Sequence, residues 1–268
     1  MKDKVVVITG ATSGIGKALV YEFSEKGAKC VIGARNHQKL TEIAKDIKLK
    51  GGEIAYAQTD VTNEIDCRNL ILTAIDQFGQ VDILINNAGI SMRALFEDVD
   101  LNVLKQVMDI NFWGTVYCTK YALPHILKQK GSIVGVSSIA GIKGLPARTG
   151  YSASKFAMGG FLECIRIENL KKGLHVLVAY PGFTASNIRN TALAADGSQQ
   201  GESPRDEQKM MSSEEVATHI YKAVIKRKNT ITLTTEGKMV AILNKIFPGW
   251  LNKQVYNSLA KEEDSPLK

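Results

Sequence analysis

The sequence has few of the features that mark membrane or secreted proteins. None of its apolar runs approaches the roughly 20 residues that a membrane-spanning helix needs. Only three residues separate Met1 from the apolar run that begins at Val5, and that run is too short for the hydrophobic segment of a signal peptide. We therefore interpret it as a β-strand and expect a protein that is soluble, or at most in peripheral contact with a membrane.

Cysteine and histidine are scarce and show no metal-binding or disulfide spacing. Three of the four cysteines fall in apolar runs, where a thiol behaves as a small buried hydrophobe, and this favours the reducing cytoplasm. The cysteines are Cys30, Cys67, Cys118 and Cys164, and the four histidines are His37, His125, His175 and His219. We predict no metal site.

The sequence also lacks a basic run, although its formal net charge is +7. Lysine and arginine are dispersed among acidic residues, which is typical of a solvated surface and argues against nucleic acid as a partner. Anionic small molecules and a membrane surface stay open as reasons for the surplus. With 44% hydrophobic and 23% charged residues over 268 positions, we expect one globular domain spanning 1–268.

Short β-branched runs alternate with segments of helical periodicity to about position 235. This alternation predicts an α/β protein with a doubly wound, seven-stranded parallel sheet, the Rossmann fold. The predicted strands are 5–9, 29–34, 53–58, 81–86, 132–137, 174–180 and 230–233. A long irregular segment at about 183–212 is interpreted as a substrate lid, and an apolar helical tail begins at about 238.

A glycine-rich loop joins the first predicted strand to the first helix. Glycine allows a tight turn and lets backbone N–H groups approach a pyrophosphate at the positive end of the helix. The expected contacts are Gly10, Thr12, Ser13, Gly14, Ile15 and Gly16. We therefore predict a dinucleotide cofactor at this end of the sheet.

Arg35 follows the second strand, where an NAD-binding fold usually carries an acid. A guanidinium there can pair with the 2′-phosphate of NADP(H), so we predict that cofactor. Other residues at neighbouring strand ends are expected to line the nucleotide: Asn36, Asp60, Val61, Asn87, Ala88 and Gly89. Asn86 is equally well explained as a residue that stabilises its strand end.

Tyr151 and Lys155 lie one helical turn apart on the same face of a predicted helix. A phenol has a pKa of about 10, so proton transfer at neutral pH requires roughly 3 to 4 kcal/mol of stabilisation of the phenolate. An ammonium about 5 Å away supplies roughly 3 kcal/mol at an effective dielectric of about 20. Ser138, at the end of an earlier strand, can donate a hydrogen bond to an oxygen that gains charge.

These motifs, in this order, resemble those of the single-domain short-chain dehydrogenase/reductase family over nearly the whole chain. The resemblance implies a catalytic tetrad of Asn111, Ser138, Tyr151 and Lys155, with Tyr151 as acid or base and Asn111 holding a water. It also implies nucleotide contacts from Tyr151, Lys155, Pro181, Gly182 and Thr184, and a homodimer or homotetramer. Ser13 occupies a position where NADP-dependent members often carry a basic residue, which leaves Arg35 alone to select the cofactor.

The sequence therefore predicts an NADPH-dependent oxidoreductase acting on a carbonyl or alcohol carbon. Further segments resemble the branch that contains hydroxysteroid dehydrogenases and acyl-dihydroxyacetone-phosphate reductases, which implies a lipophilic ketone. An epimerase or dehydratase fits less well, because its glycine loop usually has a different spacing. The alternative from another class is a catalytically silent NADP-binding sensor or scaffold. The apolar tail is compatible with packing on the core or a subunit, with a substrate entrance, or with a membrane surface.

Overall fold

A single parallel β-sheet forms the centre of the computed structural model, which describes residues 1–201, 210–262 and 265–267. The strands are β1 (Val5–Thr9), β2 (Lys29–Ala34), β3 (Ile54–Gln58), β4 (Ile83–Asn86), β5 (Ser132–Val136), β6 (His175–Tyr180) and β7 (Thr230–Thr232). The predicted seven-stranded doubly wound sheet is confirmed, and the strand ends differ from the prediction by at most two residues.

The strand order, β3-β2-β1-β4-β5-β6-β7, reverses direction beside β1. In register, Val6 of β1 is paired with Cys30 of β2 on one side and with Ile83 of β4 on the other. Chain connections leave these two strand ends in opposite directions, so a crevice opens at the carboxyl edge of the sheet, where ligands bind in folds of this type.

Helices cover both faces of the sheet. They are α1 (Gly14–Glu25), α2 (His37–Leu49), α3 (Glu64–Phe78), α4 (Leu101–Met108), α5 (Gly114–Lys128), α6 (Thr149–Glu168), α7 (Ser213–Ile225), α8 (Thr235–Ile246) and α9 (Pro248–Ala260). Apolar residues of α1, α2 and α7 pack on one face, and those of α3, α5 and α6 pack on the other. Cys30, Cys67 and Cys118 are buried in these cores, as predicted.

Polar caps explain where several helices begin. The Asn36 side chain accepts a hydrogen bond from the Lys39 amide at the start of α2. Asn63 caps α3 in the same way. Ser212 and Glu215 form a reciprocal capping box at α7. Each cap satisfies amides that the helix itself leaves unpaired, which fixes the helix start relative to the preceding strand.

The tail predicted from about 238 is helical and forms α8 and α9. Polar contacts attach it to the loop that follows β5, because Lys143 Nζ donates to Asn244 Oδ1 at 3.0 Å and also to Asn252 Oδ1. Asn244 Nδ2 donates in turn to the carbonyl of Ile142 at 3.0 Å. Across the described residues, no helix is long and apolar enough to cross a membrane.

Candidate active site

A cleft of about 740 Å³ follows the carboxyl ends of β1, β2, β3 and β4. Thirteen of the residues predicted to bind the cofactor line it: Gly10, Thr12, Ser13, Gly14, Ile15, Gly16, Arg35, Asn36, Asp60, Val61, Asn87, Ala88 and Gly89. Residues separated by almost 80 positions in sequence thus face one elongated space. Its position matches the crevice expected at the reversal of strand order.

The glycine loop has no room for larger side chains at two of its positions. Gly10 has a φ of +64°, and a Cβ atom added there would lie 2.8 Å from Ala88 Cα. A Cβ at Gly16 would overlap the Gly10 carbonyl oxygen and the Asn87 side-chain nitrogen. Asn87 also holds the loop in place, since its Nδ2 donates to Thr9 O at 3.0 Å. The sequence placed Asn87 against the nucleotide and did not anticipate this supporting contact.

Arg35 lies at the rim of the cleft, and the carboxylate of Asp60, which also lines the cleft, already accepts hydrogen bonds. The carboxylate of Asp60 accepts hydrogen bonds from the amide and hydroxyl of Thr62, at 3.0 and 2.8 Å. Gln58 Nε2 donates to the backbone carbonyl of Arg35 at 3.0 Å, which fixes the backbone that carries the guanidinium. Within the described lining, Asp60 is the only carboxylate, so the Arg35 end of the cleft favours an anionic group.

The residues present fit a dinucleotide cofactor. The loop between β1 and α1 offers a glycine-lined cradle that a Cβ would fill, and it lies at the amino end of a 12-residue helix. Ser13 precedes that helix without capping it through its side chain. Amides of the first turn are therefore available to an anionic group, and the helix dipole favours its charge.

Tyr151 and Lys155 lie one turn apart on α6, as their spacing predicted, and both side chains are buried. Lys155 Nζ lies 5.8 Å from the centre of the Tyr151 ring and donates to Val136 O at 2.9 Å. Burial lowers the pKa of Lys155 to about 8. An ammonium at this depth needs a partner, and the strand-end carbonyl of Val136 supplies one.

Burial raises the pKa of Tyr151, and three neighbours act in the opposite direction. The Ser138 side chain, acting as a hydrogen-bond partner of the phenol, and the positive charges of Arg148 and Arg189 all lower its pKa. Ser138 Oγ accepts from the amide of Ala140 at 3.2 Å, so its own proton stays available to donate. Ser138 and Tyr151 are therefore brought together as predicted.

The two arginines were not identified from the sequence. Arg148 is partly buried and donates to Ser91 Oγ at 3.0 Å and to Met92 O at 3.1 Å. Burial lowers its pKa, and the nearby phenol and Glu262 raise it. Arg189 donates to Thr184 O at 2.8 Å. Arg148 lies three residues before Tyr151, so its position in the sequence could have indicated that it is a neighbour. Arg189 is distant in sequence, and no local pattern indicates that it lies close to Tyr151.

Asn111 lies in a short π-helical segment, Asp109–Trp113, that joins α4 to α5. Its Nδ2 donates to Ile90 O and to Ser154 Oγ, both at 2.9 Å, and its Oδ1 accepts from the amide of Ile90 at 2.8 Å. The side chain thus ties the loop after β4 to the helix that carries Tyr151. The water-holding role implied by the family resemblance stays a prediction.

The segment after β6 adopts several irregular turns beside both ends of the site. Gly182 faces a second cavity beside Ser138, and Thr184 is buried, with its hydroxyl donating to Gly182 O at 3.2 Å. Pro181 accepts a hydrogen bond from the amide of Ile139 at 3.1 Å. Six residues between 186 and 199 line the nucleotide cleft, and of the described part of the segment predicted as a substrate lid only Phe183 lines the second cavity, so most of that part borders the cofactor cleft and not the substrate cavity. Residues 202–209 of the predicted lid lie outside the described residues.

This second cavity, of about 330 Å³, opens beside Ser138, and no residue of the glycine loop lines it. Its walls come from the loop after β5, from Gly182 and Phe183, and from α8 and α9. Apolar side chains dominate the lining: Ile139, Leu145, Phe183, Val240, Leu251, Val255 and Leu259. Arg148 and Glu262 add charge at one end, where Glu262 also pairs with Arg93 at 3.0 Å. One face of the tail therefore borders this cavity, an alternative that the sequence left open.

Asn86 has a structural role. It is buried, and its Nδ2 donates to Thr119 Oγ1 of α5 at 3.1 Å. Unlike Asn87, it does not line the nucleotide cleft. Of the two interpretations that the sequence allowed, stabilisation of the strand end is therefore correct.

The fold and this set of residues define a nicotinamide-dependent oxidoreductase of the short-chain type. The family model for short chain dehydrogenases matches residues 4–196. The chain belongs to the short-chain dehydrogenase/reductase family, which confirms the resemblance seen in the sequence motifs.

Relatives with curated names fall in the branch that the sequence indicated. The chain is 35% identical to mouse dehydrogenase/reductase SDR family member 7B over 99% of its own length and 84% of the mouse protein. It is 42% identical to 11-beta-hydroxysteroid dehydrogenase-like 2 of Arabidopsis thaliana, over 69% of this chain and 60% of the plant protein.

Solved structures share the fold at lower identity. A short-chain dehydrogenase/reductase from Burkholderia phymatum in complex with NAD superimposes with a TM-score of 0.81 at 24% identity, covering 91% of this chain and 93% of that one. An alcohol dehydrogenase from Thermococcus sibiricus complexed with 5-hydroxy-NADP gives 0.76 at 22% identity, over 86% and 95% of the two chains. Both cofactor types thus occur on this fold.

Proposed function

We propose that this protein is an NADP(H)-dependent oxidoreductase that interconverts a lipophilic ketone and its alcohol. The observation that carries the proposal is an apolar cavity lined by Ser138, whose hydroxyl lowers the pKa of Tyr151, in a protein that also has a glycine-lined cleft at the carboxyl edge of its sheet. A nicotinamide held in that cleft supplies or accepts the hydride. The residues of the chain position the carbonyl and handle the proton.

Proton transfer falls to Tyr151. During reduction, the Ser138 hydroxyl and the phenol both donate to the carbonyl oxygen, which gains negative charge as the carbon is reduced. Tyr151 then gives its proton to that oxygen, and in oxidation it removes the proton from the alcohol. The positive charges of Arg148 and Arg189 stabilise the phenolate that forms, and they offset part of the rise in pKa that burial causes.

The preference for NADP(H) rests on Arg35. Its guanidinium lies at the rim of the cleft at the end of β2, and the one carboxylate in the described lining, Asp60, is bonded to Thr62. A 2′-phosphate at this position gains a bidentate cationic partner and meets little negative charge.

The substrate class follows from the shape and polarity of the second cavity. Its volume of about 330 Å³ is at the small end for ligand pockets, and its mouth continues along α8 and α9. Relatives named as hydroxysteroid dehydrogenase-like proteins support an extended apolar molecule. We place its carbonyl at Ser138 and its apolar body along Val240, Leu251 and Val255. We also propose that the protein acts in the cytoplasm and that it forms a homodimer or homotetramer.

The alternative, a silent NADP-binding sensor or scaffold, is less well supported. Asn111, Ser138, Tyr151 and Lys155 are all present: Ser138 interacts with Tyr151, Lys155 is held by Val136 O, and Asn111 is bonded to Ser154 of the helix that carries Tyr151 and Lys155. Burying a lysine beside a phenol costs stability, and such a cost persists where it serves chemistry. A protein that only binds the nucleotide gains nothing from it.

A screen for ketone-dependent NADPH oxidation tests the proposal. Steroids, long-chain 3-keto compounds and acyl-dihydroxyacetone phosphate are compared with small water-soluble ketones, with Tyr151→Phe as the matched control. We expect turnover with at least one lipophilic ketone and loss of that turnover in Tyr151→Phe, which should still bind NADPH. NADPH binding with no ketone oxidising it above the level of the variant would favour the silent alternative.

A further inference from the structure

The outer face of α8 and α9 carries a cluster of exposed apolar side chains. Six residues, each between 49% and 60% exposed, form what we call the tail patch: Met239, Ile242, Ile246, Phe247, Trp250 and Tyr256. Met239, Ile242 and Ile246 follow helical spacing and lie along one side of α8. Phe247 and Trp250 continue the patch around the corner between the two helices.

The inner faces of the same helices are occupied, so the patch is held outward. Val240 of α8 and Leu251 and Val255 of α9 face the apolar cavity beside Ser138. Hydrogen bonds from Lys143 to Asn244 and Asn252 attach both helices to the loop after β5. The helices cannot turn the patch inward without breaking these contacts and exposing the cavity lining.

Positive charge accompanies the patch. Lys238, Lys245 and Lys253 are exposed on these two helices, and Glu236 is the only acidic residue in either. Glu236 lines the mouth of the cavity. An exposed apolar stripe flanked by lysines and carrying a tryptophan has the composition of helices that lie in the interface of an anionic bilayer.

A second copy of the chain fits the tail patch less well than an anionic bilayer does. A twofold interface would bring the tail patch of one copy onto that of another, and the three lysines of each would meet without acidic partners on the same helices. Anionic lipid headgroups neutralise these lysines, while the acyl region accepts the apolar side chains.

We propose that the tail patch docks this protein onto the surface of an anionic lipid bilayer. Docking places the corner between α8 and α9 in the headgroup region, with the cavity on the other side of the same two helices. If the substrate is a lipophilic ketone, as proposed above, it can then pass from the bilayer to Ser138 along these helices without crossing bulk water. The docking itself does not depend on that function.

Vesicle flotation of the full chain tests the docking. Vesicles of phosphatidylcholine alone are compared with vesicles that also contain about one third phosphatidylserine. We expect flotation with the anionic vesicles and much less with the neutral ones. In a Trp113→Phe background, the emission of Trp250 should shift to shorter wavelength on binding, since the indole leaves water. An unbound wild type, or no change in Trp250 emission, would overturn the proposal.

Two sets of variants assign the binding to the patch. The combination Ile246→Gln, Phe247→Gln and Trp250→Gln should lower the bound fraction by about tenfold or more, because roughly three large apolar side chains no longer enter the interface. Ile167→Gln with Leu170→Gln is the matched control, since both are exposed apolar residues, one in the last turn of α6 and the other just after it. Replacing Lys238, Lys245 and Lys253 by glutamine should remove the preference for phosphatidylserine.

Further readouts separate the competing outcomes. Thermal melting of each variant should match the wild type, because the replaced side chains are exposed. Sedimentation velocity reports the oligomeric state; a patch variant that becomes a smaller species while the wild type ignores vesicles would show that the surface joins two copies. Flotation needs no substrate, so failure of docking and failure of the proposed oxidoreductase activity are measured separately.

Discussion

Lys155 Nζ lies 5.8 Å from the centre of the Tyr151 ring, and both side chains are buried. The ammonium donates to Val136 O, at the carboxyl end of β5, which lies beside β4 in the sheet. Through this contact the sheet fixes the position of the lysine, and α6 fixes the phenol one turn away. Burial of the Lys155 ammonium also costs folding free energy, because it lowers the pKa of that group.

Lys155→Met should raise the free energy of unfolding at neutral pH. The difference in free energy of unfolding between this variant and the wild type should shrink as the pH rises. Burial lowers the pKa of Lys155 from 10.5 to about 8, so the folded protein binds the proton less tightly than the unfolded chain. The resulting cost is roughly 3 kcal/mol below about pH 8, and it disappears as the pH approaches the unfolded value of about 10.5. Loss of the bond to Val136 O offsets about 1 kcal/mol of the gain.

Urea unfolding of both proteins at several pH values measures this difference. The wild type should gain roughly 2 kcal/mol relative to Lys155→Met between about pH 7 and pH 9.5. Lys238→Met is the matched control, because Lys238 is exposed and its replacement should leave the difference flat. A constant difference for Lys155→Met over this range would show that Lys155 titrates as an ordinary lysine.

Arg148→Gln should move the pH dependence of turnover to higher pH. The positive charge of Arg148 lowers the pKa of Tyr151, so removing it makes the phenol a weaker acid. In ketone reduction, the fall in kcat on the alkaline side should occur at a higher pH. In alcohol oxidation, the rise in kcat should also move to a higher pH, because the phenolate is then the reactive form.

Arg148→Lys is the control for charge, and it should shift the profile less than Arg148→Gln. Arg148 also lines the cavity, so changes in KM are expected in both variants and do not bear on the phenol. The informative quantity is the pH dependence of kcat. If both variants lower kcat equally at all pH values, Arg148 acts by holding Ser91 and Met92 in place and not through its charge.

The sheet and the glycine loop were predictable because their signals are local. Val5–Thr9 and Lys29–Ala34 are compact β-branched runs, and their predicted limits match the structure. Tyr151 and Lys155 share a face of α6 because helical spacing alone decides it. The glycine loop lies at the expected strand end because a parallel sheet brings such ends to one edge.

Other parts of the site depend on contacts that no local pattern contains. Arg189 comes close to Tyr151 through the irregular chain after β6, and sequence distance gives no sign of it. The π-helical turn around Asn111 has no periodicity distinct from that of its neighbouring helices. The apolar pattern of the tail was visible, but which face covers the cavity is set by Lys143 and its partners Asn244 and Asn252.

Gly16→Ala should abolish nucleotide binding while the protein still folds. A Cβ at this position overlaps the Gly10 carbonyl and the Asn87 side chain, so the loop must move away from the arrangement that Asn87 supports. We expect NADPH affinity to fall by about a hundredfold or more, since the backbone amides no longer converge on the phosphates.

Gly160→Ala is the matched control in a helix. A Cβ at Gly160 meets no atom within 4 Å, so the change should leave NADPH binding intact. It should also raise stability by about 0.5 to 1 kcal/mol, because glycine in a helix costs conformational entropy. Tryptophan fluorescence quenching by NADPH and thermal melting measure the two effects. Unchanged NADPH affinity in Gly16→Ala would mean that the nucleotide does not approach this loop.

Arg35→Ala should weaken NADPH binding by roughly tenfold to a hundredfold and change NADH affinity little, because a charge-assisted contact is worth about 1.5 to 3 kcal/mol and only NADPH carries the 2′-phosphate. Direct titration of both nucleotides against both proteins measures the two effects. Arg68→Ala is the control, since Arg68 is an exposed arginine that does not line the cleft. Because charge effects of this kind are screened, the difference between wild type and Arg35→Ala should narrow as salt is added. Equal affinities of the wild type for NADPH and NADH would mean that Arg35 does not select the cofactor, while the assignment of the cleft to a dinucleotide would stand.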